Sequence, residues 1–384
     1  MSNNDRHQEI QEDGPEYRSV MMAPLSAPPM PRSFAAPPPR KFAVTRSAPV
    51  VQKAAPVSSQ TASSTFKWTP EPTAIPVFHF LERTNVYVSN VSAQEVATRV
   101  TECCRKNNIA ANTSTMSDLL DEDRNVLRCE TEDCIKFAVR LFSDKDMLVV
   151  EVQRMCGCSY AFREVCRSIL RAAKNESAAT APPPKKRTFK NPSTLPQRSV
   201  EDRQACVQSE FEHSLAMIQS ERLDSQALGL ESLESMTRTC GATDFLAKSV
   251  LKHDCLERLF FLLETAAKED DSQTSRKVMA VLANTLNASG PAYLAEVLLS
   301  TSHLKAESFL AILLASLRDA AEKPHDACQA ARCLQALLIS SEVKEAILEM
   351  RLMEVLESAC STGCNIHMAL EQESQKLMAQ LRSC

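Results

Sequence analysis

Three short clusters carry residue types that could do chemistry. Cys360, Cys364 and His367 recur at four- and three-residue spacing, which places two thiols and an imidazole on one side of a helix. Those are zinc-ligand types, but no fourth ligand stands at a usual spacing, so buried thiols are expected rather than a metal. His253-Asp254-Cys255 holds the residue types of a cysteine hydrolase. Neighbours in sequence do not face one another on a helix, however, and catalytic triads are assembled across a fold. Asp121-Glu122-Asp123 groups carboxylates, yet nothing at calcium-loop spacing follows it, and a solvated loop is expected. The six glycines, at positions 14, 157, 229, 241, 290 and 363, lie too far apart for a loop that cradles phosphate. No catalytic residue, metal or cofactor is therefore expected, and the chain reads as a non-enzyme.

The remaining chemistry is charge. Arg163, Arg167, Arg171 and Lys174 recur at four- and three-residue spacing, so on a helix they form one basic stripe able to meet anionic headgroups or a protein partner. Lys185-Lys186-Arg187 continues this basicity in a Pro-rich stretch, as a polybasic membrane tether or a nuclear-import patch. The net charge of the 384 residues is −4, but it is unevenly distributed. Residues 1–75 carry +2, residues 76–175 carry 0, residues 176–200 carry +4 and residues 201–384 carry −10. From position 17 to 70 there are seven basic residues and no acidic one. A near-neutral total argues against a whole-molecule nucleic-acid binder.

These charges need elements to position them. Thirteen of the 20 prolines fall within residues 1–76, with no apolar period, so a disordered basic tail is expected over 1–75. Ser33 and Ser47 lie in this tail beside arginines, and together with Ser199 they are phosphorylation candidates. Phosphate there would weaken any fold-back of the basic tail and linker onto the acidic end. Phe66-Lys67-Trp68, with the single Trp, reads as an aromatic-basic anchor in the tail. Order is expected from 76. Asn85–Val91 is strand-like, and Ser92-Ala93-Gln94-Glu95 is a capping box opening an amphipathic helix that ends at Asn107-Asn108. Cys134–Leu141 alternates apolar and polar residues, Ser143–Asp146 is turn chemistry, and Met147–Met155 returns as a strand. A second helix is predicted from Ser159 to Lys174. An α+β domain is thus expected over 76–175, with an antiparallel sheet and both helices on one face.

The linker 176–203 is expected disordered. Beyond it the pattern is helical throughout and repeats itself. Runs around Leu233, Leu282 and Leu334 align at offsets of 49 and 52 residues, each followed by a Leu-rich helix: Leu256–Leu263, Phe309–Leu317 and Ala346–Leu356. His367–Leu381 forms a partial fourth unit. An all-α solenoid of the armadillo or HEAT kind is expected over 204–384. The fifteen cysteines, in a chain whose polar start does not read as a signal peptide, are expected as reduced thiols. No run approaches the ~20 apolar residues of a membrane span.

Two resemblances are carried by particular residues. Lys136–Val139 and the run Val150–Val165, which includes Arg154, resemble the end of the kinase-associated domain 1. That is the C-terminal module of microtubule-affinity-regulating kinases and related members of the AMP-activated kinase group. The resemblance covers residues 84–175 and implies binding of anionic phospholipid, or docking onto a kinase domain, with Arg154 matching the family's motif arginine. The stretch Ser341–Met353 is similar to the passage between helices of an armadillo repeat. The family's usual glycine there stands as Arg351, and Asn284 matches its peptide-binding groove asparagine. Together these imply a scaffold or regulatory adaptor whose solenoid engages a protein partner, a kinase being the implied one. The alternative is a peripheral membrane protein that binds anionic phospholipid through Arg154, Arg163, Arg167, Arg171, Lys174 and the linker cations. A cytoplasmic location follows, with membrane-peripheral or nuclear placement left open, and oligomeric state is not legible.

Overall fold

The computed structural model describes residues 67–112, 125–176, 200–239, 244–300, 304, 307–341, 343–345 and 350–383. All fall in one compact unit, Thr61–Cys384. It combines a small, mostly antiparallel sheet bearing two helices with a larger all-helical part, in agreement with the coarse class expected.

The sheet orders its strands β2 (Asn85–Ser89), β6 (Met147–Cys156), β5 (Lys136–Asp144), β4 (Val126–Glu130), β3 (Ala110–Asn112). A short β1 (Thr73–Ala74) adds in parallel beside Phe142 and Ser143 of β5, where β4 has already ended. The predicted turn closes β5 onto β6, pairing Asp144 with Met147, and Lys145 takes φ 55°. Helix α1 (Ala93–Lys106) starts at Ser92, whose hydroxyl accepts the Glu95 N–H at 3.2 Å. The Glu95 carboxylate is engaged by Arg99 one turn on. α1 packs beside α2 (Ser159–Ala173), and together they cover Val86, Leu127, Phe137, Val139, Leu141, Val150 and Val152.

One expectation about this part needs correction. Trp68 is 2 % exposed and belongs to this core, so packing reaches back past the expected boundary at 76. Its indole is a core side chain and not a tail anchor. The second face of the sheet is also covered. Val149 and Phe142 are buried there, and so is the carboxylate of Glu151, which is 0 % exposed. A polar group in such a place must be hydrogen-bonded. His79 reaches it through Nε2 at 3.0 Å and the Glu82 N–H donates to it at 2.6 Å. The segment ahead of β2 is thereby strapped across the strands, with the His79 ring 5.0 Å from Phe142.

The helical part runs α3 (Val200–Gln219), α4 (Leu223–Thr239), α5 (Asp244–Val250), α6 (His253–Glu269), α7 (Ser272–Ala288), α8 (Pro291–Ser300), α9 (Glu307–Arg318), α10 (Pro324–Leu337), α11 (Leu352–Ile366) and α12 (Met368–Ser383). α4 packs on α7, α7 on α10 and α10 on α12. Each of these four also packs on the helix beside it: α3, α6, α9 and α11 respectively. The aligned Leu233, Leu282 and Leu334 sit on α4, α7 and α10, all completely buried. The predicted helix Ala346–Leu356 is not continuous over the described residues. Residues 346–349 lie outside the described set, Met350 and Arg351 form a turn, and α11 starts at Leu352. Arg351, standing where the resemblance has glycine, takes φ 57°, the left-handed region that glycine enters without strain.

The two parts keep separate hydrophobic cores, one drawn from residues 68–173 and the other from 207–381. Between them lies a polar junction.

Candidate functional site

That polar junction is built from the turn after β4. Glu130, Glu132 and Asp133 place three carboxylates within four residues, and the turn closes with Cys134 at φ 57°. Each carboxylate meets a donor on a different helix. Arg238, in the last turn of α4, donates through Nη1 to Asp133 at 2.7 Å, and also pairs with Glu234. Arg276, in the first turns of α7, donates through Nη1 to Glu130 at 2.8 Å and through Nε to Asp326 at 2.6 Å. Gln329 of α10 donates to Glu132 at 2.8 Å. His325, one turn earlier on α10, reaches the Glu130 carbonyl through Nε2 at 3.0 Å.

The centre of this junction is dry. Arg276 is 6 % and Asp326 4 % exposed, and Ser272 donates to the second Asp326 oxygen at 3.1 Å. Burial works against the Arg276 charge, but the Asp326 and Glu130 carboxylates outweigh it and hold the guanidinium above its ordinary range. His325 and His367 lie against one another, Nδ1 to Nε2 at 3.1 Å. Burial first, then the Arg276 charge, pushes His325 down to about 4. Burial first, then His325, takes His367 down to about 3. A further strut comes from Asn108, at φ 53° past the end of α1, whose side-chain oxygen accepts the Ala369 N–H at 2.8 Å.

Two open spaces flank the docked turn. The larger, about 580 Å³, is walled by Thr237 and Arg238 of α4, Asn284 and Asn287 of α7, Arg332 of α10, and Glu132. The smaller, about 280 Å³, shares Glu132 and Arg332 and adds Asn108, His325, His367 and Glu373. Asn284, the expected groove residue, accepts Arg332 Nη2 at 2.8 Å and donates to Thr237 at 3.4 Å. It therefore stands in this site.

The other expected site residues lie elsewhere. Arg163, Arg167, Arg171 and Lys174 are exposed along one side of α2, as the spacing predicts, and Arg154 is exposed near the end of β6. Part of that charge is spent locally. Arg154 donates to the Gly157 carbonyl at 2.7 Å, Arg167 pairs with Glu164 at 2.7 Å and Lys174 with Glu176 at 3.8 Å. Lys185, Lys186, Arg187, Ser33, Ser47 and Ser199 lie outside the described residues, as do Asp121, Glu122 and Asp123. His367 turns away from Cys360 and Cys364 toward His325, and Cys364 is exposed. Cys255 is buried, which pushes its thiol up to about 12, and the His253 side chain is outside the described set.

Sequence reading passed over Arg238, Arg276, His325, Asp326, Gln329 and Arg332. One signal was available. In the alignment on Leu233, Leu282 and Leu334, Arg276 occupies the position held by Ala227 and Cys328 in the other two units. A lone charge at a position otherwise apolar needs a partner, and Arg276 finds two, Asp326 on α10 and Glu130 on the turn.

No family model matches the chain, and no curated protein or solved structure is significantly similar to it. Among the described residues, no helix is long and apolar enough to cross a membrane.

Proposed function

We propose that the chain is a non-enzymatic scaffold or regulatory adaptor whose helical part, an armadillo-like solenoid, engages a protein partner on the face formed by α4, α7, α10 and α12. A protein kinase is the partner that the resemblance of residues 84–175 suggests, and the α+β part would assist by docking to it. One observation carries this reading. Helices α4, α7 and α10 each contribute hydrogen-bonding side chains (Thr237, Arg238, Asn284, Asn287 and Arg332) to one open space of about 580 Å³. Paired side-chain amides and guanidinia suit recognition of a peptide backbone and its acidic groups. Proximity labelling in cells, comparing the full chain with an Asn284→Ala/Arg332→Ala variant, tests it. A set of neighbours lost in the variant is expected; an unchanged set would remove the reading.

A second reading rests on the exposed stripe of Arg163, Arg167, Arg171 and Lys174 with Arg154 nearby in sequence: peripheral attachment to anionic phospholipid, with the linker cations contributing. Co-sedimentation with vesicles with and without phosphatidylserine separates the two. This reading requires salt-sensitive binding that reversal of Arg163 and Arg171 to Glu abolishes.

A further inference from the structure

The turn Glu130–Asp133 occupies the helical face in the manner of a ligand. Three carboxylates within four residues meet donors on α4, α7 and α10, namely Arg238, Arg276 and Gln329, at 2.7, 2.8 and 2.8 Å. The two hydrophobic cores share no residue, and the turn itself is held by these polar pairs. Polar contacts between parts of a chain behave like transient interfaces and can be exchanged. The turn is also shorter than the surface that receives it, because open space remains on both sides of Glu132, about 580 and about 280 Å³. Arg332 stands on the wall of both spaces. Its two amino groups meet only neutral oxygens, those of Gln329 and Asn284, each at 2.8 Å. Among the described residues no carboxylate pairs with it. A guanidinium presented this way is suited to a bidentate anionic group supplied from outside.

We infer that this face is the docking surface for an acidic segment of a partner protein, and that the chain's own Glu130–Asp133 turn occupies it in cis. The inference rests on the adaptor reading above and names the partner's chemistry. The incoming segment sets a carboxylate on Arg332 and competes with the turn for Arg238, Arg276 and Gln329. A basic segment is the poorer match: the stretch 17–70 of this chain, with no acidic residue, has no carboxylate to offer these donors. Because the cis turn competes at the high effective concentration of an attached group, disabling it raises affinity for the partner segment without adding a contact.

The test uses the full chain. The probe is a fluorescent peptide copying residues 126–137, with both cysteines replaced by serine and three glutamates added at one end or the other. The control peptide carries Gln and Asn in place of all its acidic residues. Binding is followed by polarisation to the wild-type chain and to a Glu130→Gln/Glu132→Gln/Asp133→Asn variant. The acidic probe should bind the variant at least about tenfold more tightly than the wild type. It should weaken with salt, lose affinity on adding Arg332→Met, and leave the control unbound. Where the triple variant fails to fold, Asp133→Asn alone, at a half-exposed position, is expected to give a smaller gain of the same sign. No binding of the acidic probe to a folded variant, or equal binding of the control, would overturn the inference. If such a failure accompanied neighbours that still depend on Asn284 and Arg332, the adaptor reading would stand and only the acidic chemistry would fall.

Discussion

His367 donates through Nε2 to Nδ1 of His325, 3.1 Å away, and the two rings meet edge to face with centroids 4.8 Å apart. The direction follows from the outer partners. The Glu130 carbonyl, 3.0 Å from His325 Nε2, can only accept, so that nitrogen carries a hydrogen and Nδ1 does not. At the other end His367 Nδ1 accepts the Leu370 N–H at 3.1 Å. Every ring nitrogen is used, both rings are neutral, and the chain of bonds runs one way from α12 to the sheet. An added proton has no acceptor to meet without breaking a link.

The junction should therefore weaken in acid. Both imidazoles have folded-state values, about 4 and about 3, below the ordinary 6.5. Their contribution is fully present above about pH 6.5 and is lost as pH falls toward 4. Thermal unfolding followed from pH 7.5 to 4.5 should show a loss on the order of a few kcal/mol. In a His325→Phe/His367→Phe chain that dependence should flatten; an equally steep profile would place the acid sensitivity in other groups.

Arg276 neutralises Asp326 in a dry place, so removing one partner alone is costly. Arg276→Met should destabilise the chain by about 3–5 kcal/mol in denaturant titration, because it leaves a buried carboxylate uncompensated. Arg276→Met combined with Asp326→Leu should recover most of that loss. Strict additivity of the two substitutions would argue that the pair is not coupled.

Arg351 holds a left-handed backbone at φ 57° with a largely exposed side chain that makes one weak pair, with Glu354 at 3.7 Å. Glycine should relieve the strain at this position, offset partly by its freedom in the unfolded chain. Arg351→Gly is expected to raise stability by about 0.5–1 kcal/mol, read as a higher melting temperature.

Trp68 is the only tryptophan and is buried in the smaller core, so its emission reports on that core alone. Native emission should be blue-shifted. Because the two cores share no residue, the emission change in urea should precede or follow the far-ultraviolet signal, which the helical part dominates. Coincident transitions would show instead that the junction couples the two parts into one cooperative unit. Trp68→Ala should cost about 3–5 kcal/mol in the smaller core.

Local chemistry was enough to read most elements. Ser92 caps α1, the β5–β6 turn falls where Asp and Lys cluster, and α2 carries its arginines outward because its apolar stripe faces the sheet. The burial of Leu233, Leu282 and Leu334 on α4, α7 and α10 was legible for the same reason. These are properties of residues a few positions apart, where periodicity is a direct record of burial. The covered second face of the sheet was not legible, since it depends on His79 meeting Glu151 across 72 residues of chain. Trp68 was misplaced in the tail for a similar reason, its proline-rich neighbourhood saying nothing about the core it enters.

The candidate site belongs wholly to that second category. Asn284 was singled out by resemblance, but the groups around it come from three helices and a turn. Glu130 and Arg276 are 146 positions apart, and Gln329 and Glu132 are 197 apart. Electrostatic complementarity of that range leaves no period and no spacing in the chain; it exists only after each core has closed and brought its surface charges to the other. Sequence by itself determined which segments are helix, strand and turn, because hydrophobic burial is written locally in apolar periodicity. Tertiary structure alone decided that three carboxylates of a turn would lie on Arg238, Arg276 and Gln329, because ion pairing is selected by where surfaces meet.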